Sequence, residues 1–346
     1  MADYLKGRLE SLGFSVEEDQ AGSICGGNCG NLYAFRRGQT PGDSLLFSMH
    51  MDTVEPATGK EALLLEDGRI VSRGDTVLGA DDMAGTAAVL EALEQIREEN
   101  LPCRSLELLF TIGEERHLQG SAVFDFQKVC SKEAYTLDLS GPVGTAALRA
   151  PSLAVFLARI HGKSTHAGFA PEEGVHAVAI GARAAAALEM GHVGEDMTVN
   201  VGSFHGGGAT TNIVPDYCEV RGEVRGLDHE RVLAQLEKIR QTFAGEAQKA
   251  GGSLEYETEI CYRAYETDRN HPSVRRFARA CRRAGVEPVF TETFGGSDQH
   301  RLAASGIRGV VMASAMHRCH SCKEYTDAGE LEQVCRIVKE ILCDRE

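Results

Sequence analysis

Tryptophan is absent from the 346-residue sequence, and aromatic residues together make up only 6%, which leaves little material for a large aromatic binding platform. Basic charge is also short: 36 Lys and Arg stand against 51 Asp and Glu, a net charge of −15 at pH 7. So acidic a surface repels phosphate backbones and anionic lipid, and neither nucleic acid nor a membrane is an expected partner. No run reaches the roughly 18 apolar residues that a membrane span needs. The opening "MADYLKGRLESLGF" carries charges throughout and has no apolar stretch of the signal-peptide kind. Eleven cysteines, an odd number scattered along the chain, fit reduced thiols better than a disulfide framework. A cytoplasmic location is the expectation. The pairs Cys25/Cys29 in "CGGNC" and Cys319/Cys322 in "CHSC" lack a zinc-ribbon or thioredoxin-like setting. No GxGxxG follows a strand, and "GGNCGN" lacks the helix and later acid of a dinucleotide fingerprint.

Alternation of strands and helices is plentiful, and the length suggests roughly two domains. Leu5, Leu9 and Leu12 line a first helix, which Gly13 can end. "LLFSMH" and "SLELLFTIGEE" are apolar strands, with a helical stripe of Val89, Ala92, Leu93 and Ile96 between them. "AYTLDLSGPVG" is another strand ending in an acid. Such alternation argues for an α/β sheet buried on both faces. From about residue 150 the pattern becomes strand, helix, two strands, helix, strand. Its first helix is expected to start at Pro171 and to end before Gly191, and its second carries Val232, Leu236, Ile239 and Phe243 inward. That order is ferredoxin-like α+β and reads as an insertion. After about 262 the α/β texture returns with a helix around Phe277, a strand "GIRGVVMASAMHRCHS" running into histidines, and a last helix burying Leu331 to Leu342. The expected domains are thus 1–147 with 263–346, and an inserted 148–262.

The strand ends carry the chemistry. His50 and Asp52 lie two apart in "LLFSMHMDTVEP", so in extended chain they face the same way. Asp81 and Asp82, Glu114 and Glu115, Asp138, and His317 and His320 come from four further segments. In an open α/β sheet the carboxyl ends of parallel strands converge on one crevice. Carboxylates gathered there repel one another. Divalent ions offset that repulsion, and histidine with carboxylate is a zinc-type donor set, so a two-metal hydrolytic site is the natural reading. Asp82 and Glu55 can instead be read as helix-capping or surface acids.

Eight motifs make the reading specific. "HMDTV", "GADDMAG", "GEERHLQGS", "LDLSGPVG", "STHAGFAPEEGVHA", "GGGATTNIVPDYCEVRGEVR", "GGSDQH" and "HSCKEY" occur in this order between about 45 and 330. In that order they resemble the M20 family of dinuclear zinc peptidases, most closely its peptidase T branch of tripeptide aminopeptidases. The resemblance implies a zinc-exopeptidase-type catalytic domain with a mixed sheet flanked by helices, plus an inserted ferredoxin-like lid or dimerisation domain. It implies two Zn2+ per subunit, with Co2+ or Mn2+ as substitutes. Matched motif by motif, His50 and Asp138 would be terminal ligands of one ion, Glu115 and His320 of the other, and Asp81 would bridge both, with a cis peptide after it. His317 is the competing choice for His320. Asp52 would orient His50, a use that their same-face spacing allows. Glu114 would be the general base toward a metal-bridging water. His166 would steady the oxyanion, with domain closure gating turnover. Asn212 and Arg225 would bind the substrate backbone or carboxylate, beside a close-approach loop of Gly206, Gly207 and Gly208. A lysine common in the family is replaced by Met83, which touches no ligand.

The implied substrate is a short peptide, cleaved after its N-terminal residue. A deacylase or carboxypeptidase acting on N-acyl amino acids or dipeptides is the alternative within the family, and a catalytically silent metal- or peptide-binding protein the alternative outside it. The resemblance also allows a homodimer through the inserted domain, and leaves open whether His166 would act within its own chain or across that dimer.

Overall fold

A computed structural model describes residues 1–345. The chain divides into two compact units, Met1–Ala150 together with the segment from Glu266 onward, and Pro151–Tyr265 between them. The first unit is built on a mixed sheet. Its strands run in the spatial order Ser15–Glu18, Leu32–Arg36, Leu106–Thr111, Leu45–His50, Glu133–Leu139, Arg308–Ala313 and Thr145–Ala150, with Val289–Glu292 beside the last. Four consecutive strands, 106–111, 45–50, 133–139 and 308–313, are mutually parallel. Their sequences are nearly continuous apolar runs because both faces are covered. Leu45, Phe47 and Met49 pack into a cluster with Leu5, Leu9, Val89, Leu93, Phe277 and Val338. Leu46, one residue out of phase, packs with Leu109, Leu302 and Ile307 on the other side.

One expected strand is in fact two. Arg308–Ala313 belongs to the main sheet, whereas Met316–His317 pairs with Tyr325–Asp327 in a separate four-stranded sheet that also holds Arg69–Ser72 and Ala62–Leu64. Ala315, in the left-handed region at φ 64, makes the turn between them. Such a turn at a non-glycine residue leaves little trace in an apolar pattern.

The inserted unit is a five-stranded antiparallel sheet in the order Gly191–His192, Met197–Gly206, Tyr217–Gly226, Ser152–His161 and Ser253–Tyr262. Its long strands follow the expected ferredoxin-like sequence of elements. Helices Ala177–Ala186 and His229–Lys249 supply Ile180, Val232, Leu236, Ile239 and Phe243 to a core with Phe156, Ile160 and Val220. The first helix is shorter than Pro171–Gly191. Val175 exchanges two backbone hydrogen bonds with Lys163, each 3.0 Å, and this holds the chain extended there. Pro171–Glu173 is therefore an isolated 3-10 turn, and the helix begins only after His176, whose Nδ1 accepts the Ala179 N–H.

Among the described residues no helix is long and apolar enough to cross a membrane. Phe243 is fully buried, its ring 6.4 Å from that of Phe156. Phe243→Ala is expected to destabilise the inserted unit by about 3–5 kcal/mol, read as a lower urea midpoint, while metal content stays unchanged. An unshifted midpoint would contradict this packing.

Candidate metal centre

Parallel strands share a direction, so their carboxyl ends open on one edge of the sheet. His50 is the last residue of its strand, Asp138 lies at the end of Glu133–Leu139, and Glu114 and Glu115 follow Leu106–Thr111 closely. Asp81 opens the helix Ala80–Glu98, where Asp81 and Asp82 depart from helical dihedrals and the peptide between them is cis. His320 lies in the loop joining Met316–His317 to Tyr325–Asp327, at φ 62.

The side chains meet around Asp81. Its Oδ1 lies 2.9 Å from Nε2 of His50, and its Oδ2 lies 3.3 Å from Nε2 of His320. The same His320 nitrogen lies 2.9 Å from Oε1 of Glu115. Each of His50, Asp81 and Asp138 offers a ligand atom within 4.8 Å of the others, as do Asp81, Glu115 and His320. Asp81 is common to both groups. A third grouping, His50 with Glu114 and Glu115, meets the same distance. His317 is engaged elsewhere, stacked on Tyr325 with centroids 4.7 Å apart and with Nε2 on Glu330.

Protonation in this protein follows from burial and crowding. Burial raises Asp138 well above the usual carboxylate range, and the charges of Glu114 and Asp81 add to it. Burial likewise pushes Glu114 up to about 8, reinforced by Asp298 and Glu115 and opposed by His50. Burial opposes a charge on Asp81 too, but the bonds to His320 and His50 outweigh it and hold its pKa low. For His50, burial disfavours the charged ring, yet Asp81, Glu114 and Asp138 raise its pKa well above the imidazole range. Asp81 and Glu115 push His320 up to about 10. The donor set fits a pair of divalent ions. Glu115 Oε1 is buried and lacks a hydrogen bond although the His320 nitrogen is close, an arrangement that suits two donors converging on a common centre.

Backbone hydrogen bonds hold the segments that carry these donors. Asp52 does not grip the His50 ring with its carboxylate: Nδ1 bonds the Asp52 backbone carbonyl at 3.0 Å, and Oδ1 stands off at 3.7 Å. The carboxylate instead accepts the N–H groups of Glu114 and Glu115, at 3.1 and 3.2 Å. Asp82 is no surface cap. It is fully buried and takes the His50 N–H at 3.3 Å. Glu324, buried in "HSCKEY", accepts the N–H groups of Gly79 and Asp81, at 2.6 and 3.0 Å. Glu324 is not among the residues that the sequence motifs single out. An acid placed so close to a predicted ligand histidine was the available signal.

In the inserted unit, His166 pairs with Ile213, and the Ala167 N–H donates to the carbonyl of Asn212 at 2.9 Å, so these two segments lie together. Gly168 N–H donates to Nδ1 of His166 at 3.1 Å, which leaves Nε2 to carry the proton of the neutral ring. Phe169 stacks on that ring at 4.2 Å. Arg225 is half-buried and bonds Glu223 at 2.8 Å. Gly206 ends a strand where a side chain would meet Val178, Gly207 adopts φ 78, and only Gly208 faces open space.

Comparison with known proteins agrees over both units. Residues 152–250 match the M20 peptidase dimerisation domain, and residues 31–143 match peptidase family M28. The crystal structure of aminopeptidase PepT from Bacillus cereus superposes with a TM-score of 0.91 at 35% identity, covering 99% of this chain and 91% of that one. A tripeptidase from Staphylococcus aureus gives a TM-score of 0.95 at 33% identity with the same coverages. The uncharacterised protein YqjE of Bacillus subtilis is 34% identical over 338 residues, 98% of this chain and 91% of its own.

Glu114 and His320 hold extra protons in the folded, metal-free protein, because their pKa values lie above the ordinary 4.5 and 6.5. Groups raised in this way lend stability that is lost as pH rises through the folded pKa. Metal ligands must be deprotonated, so bound ions remove that loss. The melting temperature of metal-loaded minus chelator-stripped protein should therefore widen from about pH 5 to about pH 9. A constant or narrowing gap would contradict it.

Proposed function

Since the chain belongs to the M20 peptidase family, with PepT-type enzymes among its relatives, we propose that it is a two-metal aminopeptidase that removes the N-terminal residue of short peptides, tripeptides foremost. The observation that carries this reading is Asp81, whose two carboxylate oxygens face two different histidines and which belongs to both donor groups. His50 and Asp138 would complete the holding of one ion, Glu115 and His320 of the other. When bound, zinc at these positions would polarise the scissile carbonyl and lower the pKa of the attacking water.

The remaining work falls to the protein's own groups. Glu114 is read as the base that takes the water proton and returns it to the leaving amine. Asp52 keeps that carboxyl and its neighbour in place through their backbone N–H groups. His166, with its proton on Nε2, is read as a hydrogen-bond donor to the oxyanion, and Asn212 and Arg225 as contacts for the peptide. The M20 dimerisation match over 152–250 supports a homodimer as the working assembly.

Zinc-loaded protein should cleave a free tripeptide, lose that activity in chelator, regain it with zinc, and leave the N-acetylated tripeptide intact. Preferential cleavage of the acetylated substrate would overturn the aminopeptidase reading in favour of a deacylase. Glu114→Gln should lower kcat by about 10²–10⁴-fold while both ions stay bound, and unchanged turnover would refute its role as base.

A further inference from the structure

We propose that Asn31 and Asp298 are positioning residues that close the neck of the Glu114–Glu115 turn from two sides, an inference that rests on reading Glu114 as base and Glu115 as ligand. The turn leaves the sheet at Thr111 and rejoins helical structure at Gln119–Ala122. Between them, Gly113, His117 and Leu118 all adopt positive φ, at 61, 62 and 61. Two of these are not glycine, so the turn is strained, and its own backbone bonds (Leu118 N–H to the Glu114 carbonyl at 2.9 Å, Gln119 N–H to Gly113 at 2.9 Å and Gly120 N–H to Ile112 at 3.0 Å) hold it only together with outside support.

Both ends of the neck are tied by buried polar side chains from distant parts of the chain. Asn31 is 0% exposed. Its Oδ1 accepts the Ile112 N–H at 3.0 Å, and its Nδ2 donates to the Gly120 carbonyl at 2.9 Å, so one amide spans the gap. Asp19 orients that amide, accepting from Nδ2 and from the Asn31 N–H, each at 2.8 Å. Asp298, 2% exposed, accepts the hydroxyl of Thr111 with one carboxylate oxygen and that of Ser121 with the other. The four residues flanking the turn, 111, 112, 120 and 121, are thus held in pairs.

The neck is too tight for a side chain at Gly120, where a Cβ would lie 2.1 Å from the Ile112 carbonyl oxygen and 2.6 Å from Asn31 Oδ1. Within the turn, Asp52 fixes only the Glu114 and Glu115 N–H groups. Asp298 is not among the grouped ligand residues, and both polar ends of the Asn31 amide are taken up by Ile112, Gly120 and Asp19, so each acts through the turn. The two motifs that supply them, "GGNCGN" and "GGSDQH", find their use here.

The test uses the cobalt-loaded full chain with Asp298→Ala, Asn31→Ala and the conservative Asp298→Asn. Displacing a reacting group by an ångström costs about 100-fold, so both alanine variants should lose about that much kcat with KM within about threefold. They should keep two cobalt ions per chain while the visible d–d absorption changes, because Glu115 shifts. Asp298→Asn, whose amide can accept one hydroxyl and donate to the other, should recover at least about tenfold of the loss. Should Asp298→Ala not fold, Ser121→Ala removes one of the two hydroxyls and carries the same comparison. Wild-type kcat and spectrum with only a lower denaturation midpoint would overturn the proposal. If the wild-type protein cleaves no short peptide, the aminopeptidase reading fails separately, and the cobalt spectrum alone decides the positioning role.

Discussion

Carboxylates taken out of water without a counter-charge repel one another, and the first unit collects Asp81, Asp82, Glu114 and Asp138 at the end of one sheet. Burial is the largest influence on each of their pKa values, and only for Asp81 do the two histidines overcome it. A protein that needed this edge only for folding would do better with apolar residues. Cations held in the crevice would turn the crowding into affinity. The parallel strands, the small sheet that carries His320 and the kinked start of Ala80–Glu98 all serve that convergence.

Holding the convergence falls to a set of acids that accept backbone N–H groups rather than binding side chains. Asp52 fixes the glutamate turn, Asp82 the end of the His50 strand, and Glu324 the turn before Asp81. Each joins two of the segments that meet at the centre, so the geometry is cross-linked without depending on any long flexible side chain. A carboxylate accepting two amide N–H groups stays put, which suits donors that must keep a fixed direction. The Asp52 carboxylate meets the glutamate turn rather than the His50 ring, because the backbone carbonyl at that position already satisfies Nδ1.

Much of this was legible in the sequence. Apolar runs that end in His50, Glu114 and Asp138 betray strands that deliver polar groups from a buried sheet, and the helical stripes place the α/β layers. The ferredoxin-like insertion could be read from element order alone, and the family from eight ordered motifs. What could not be read depended on contacts distant in sequence. The break at Ala315 is a single backbone angle, and the late start of the helix expected from Pro171 depends on Val175 pairing with Lys163. The burial of Asp82 and the grip of Asn31 on both sides of a turn far along the chain are properties of the folded arrangement only.

On the reading proposed above, the Asp81 carboxylate would join two metal positions. Anomalous diffraction at the zinc edge, from crystals of the zinc-loaded chain, tests it most directly. Two peaks flanking Asp81 are expected, about 3.5–4 Å apart, one toward His50 and Asp138 and the other toward Glu115 and His320. A single peak, or two peaks with Asp81 touching neither or only one, would contradict it.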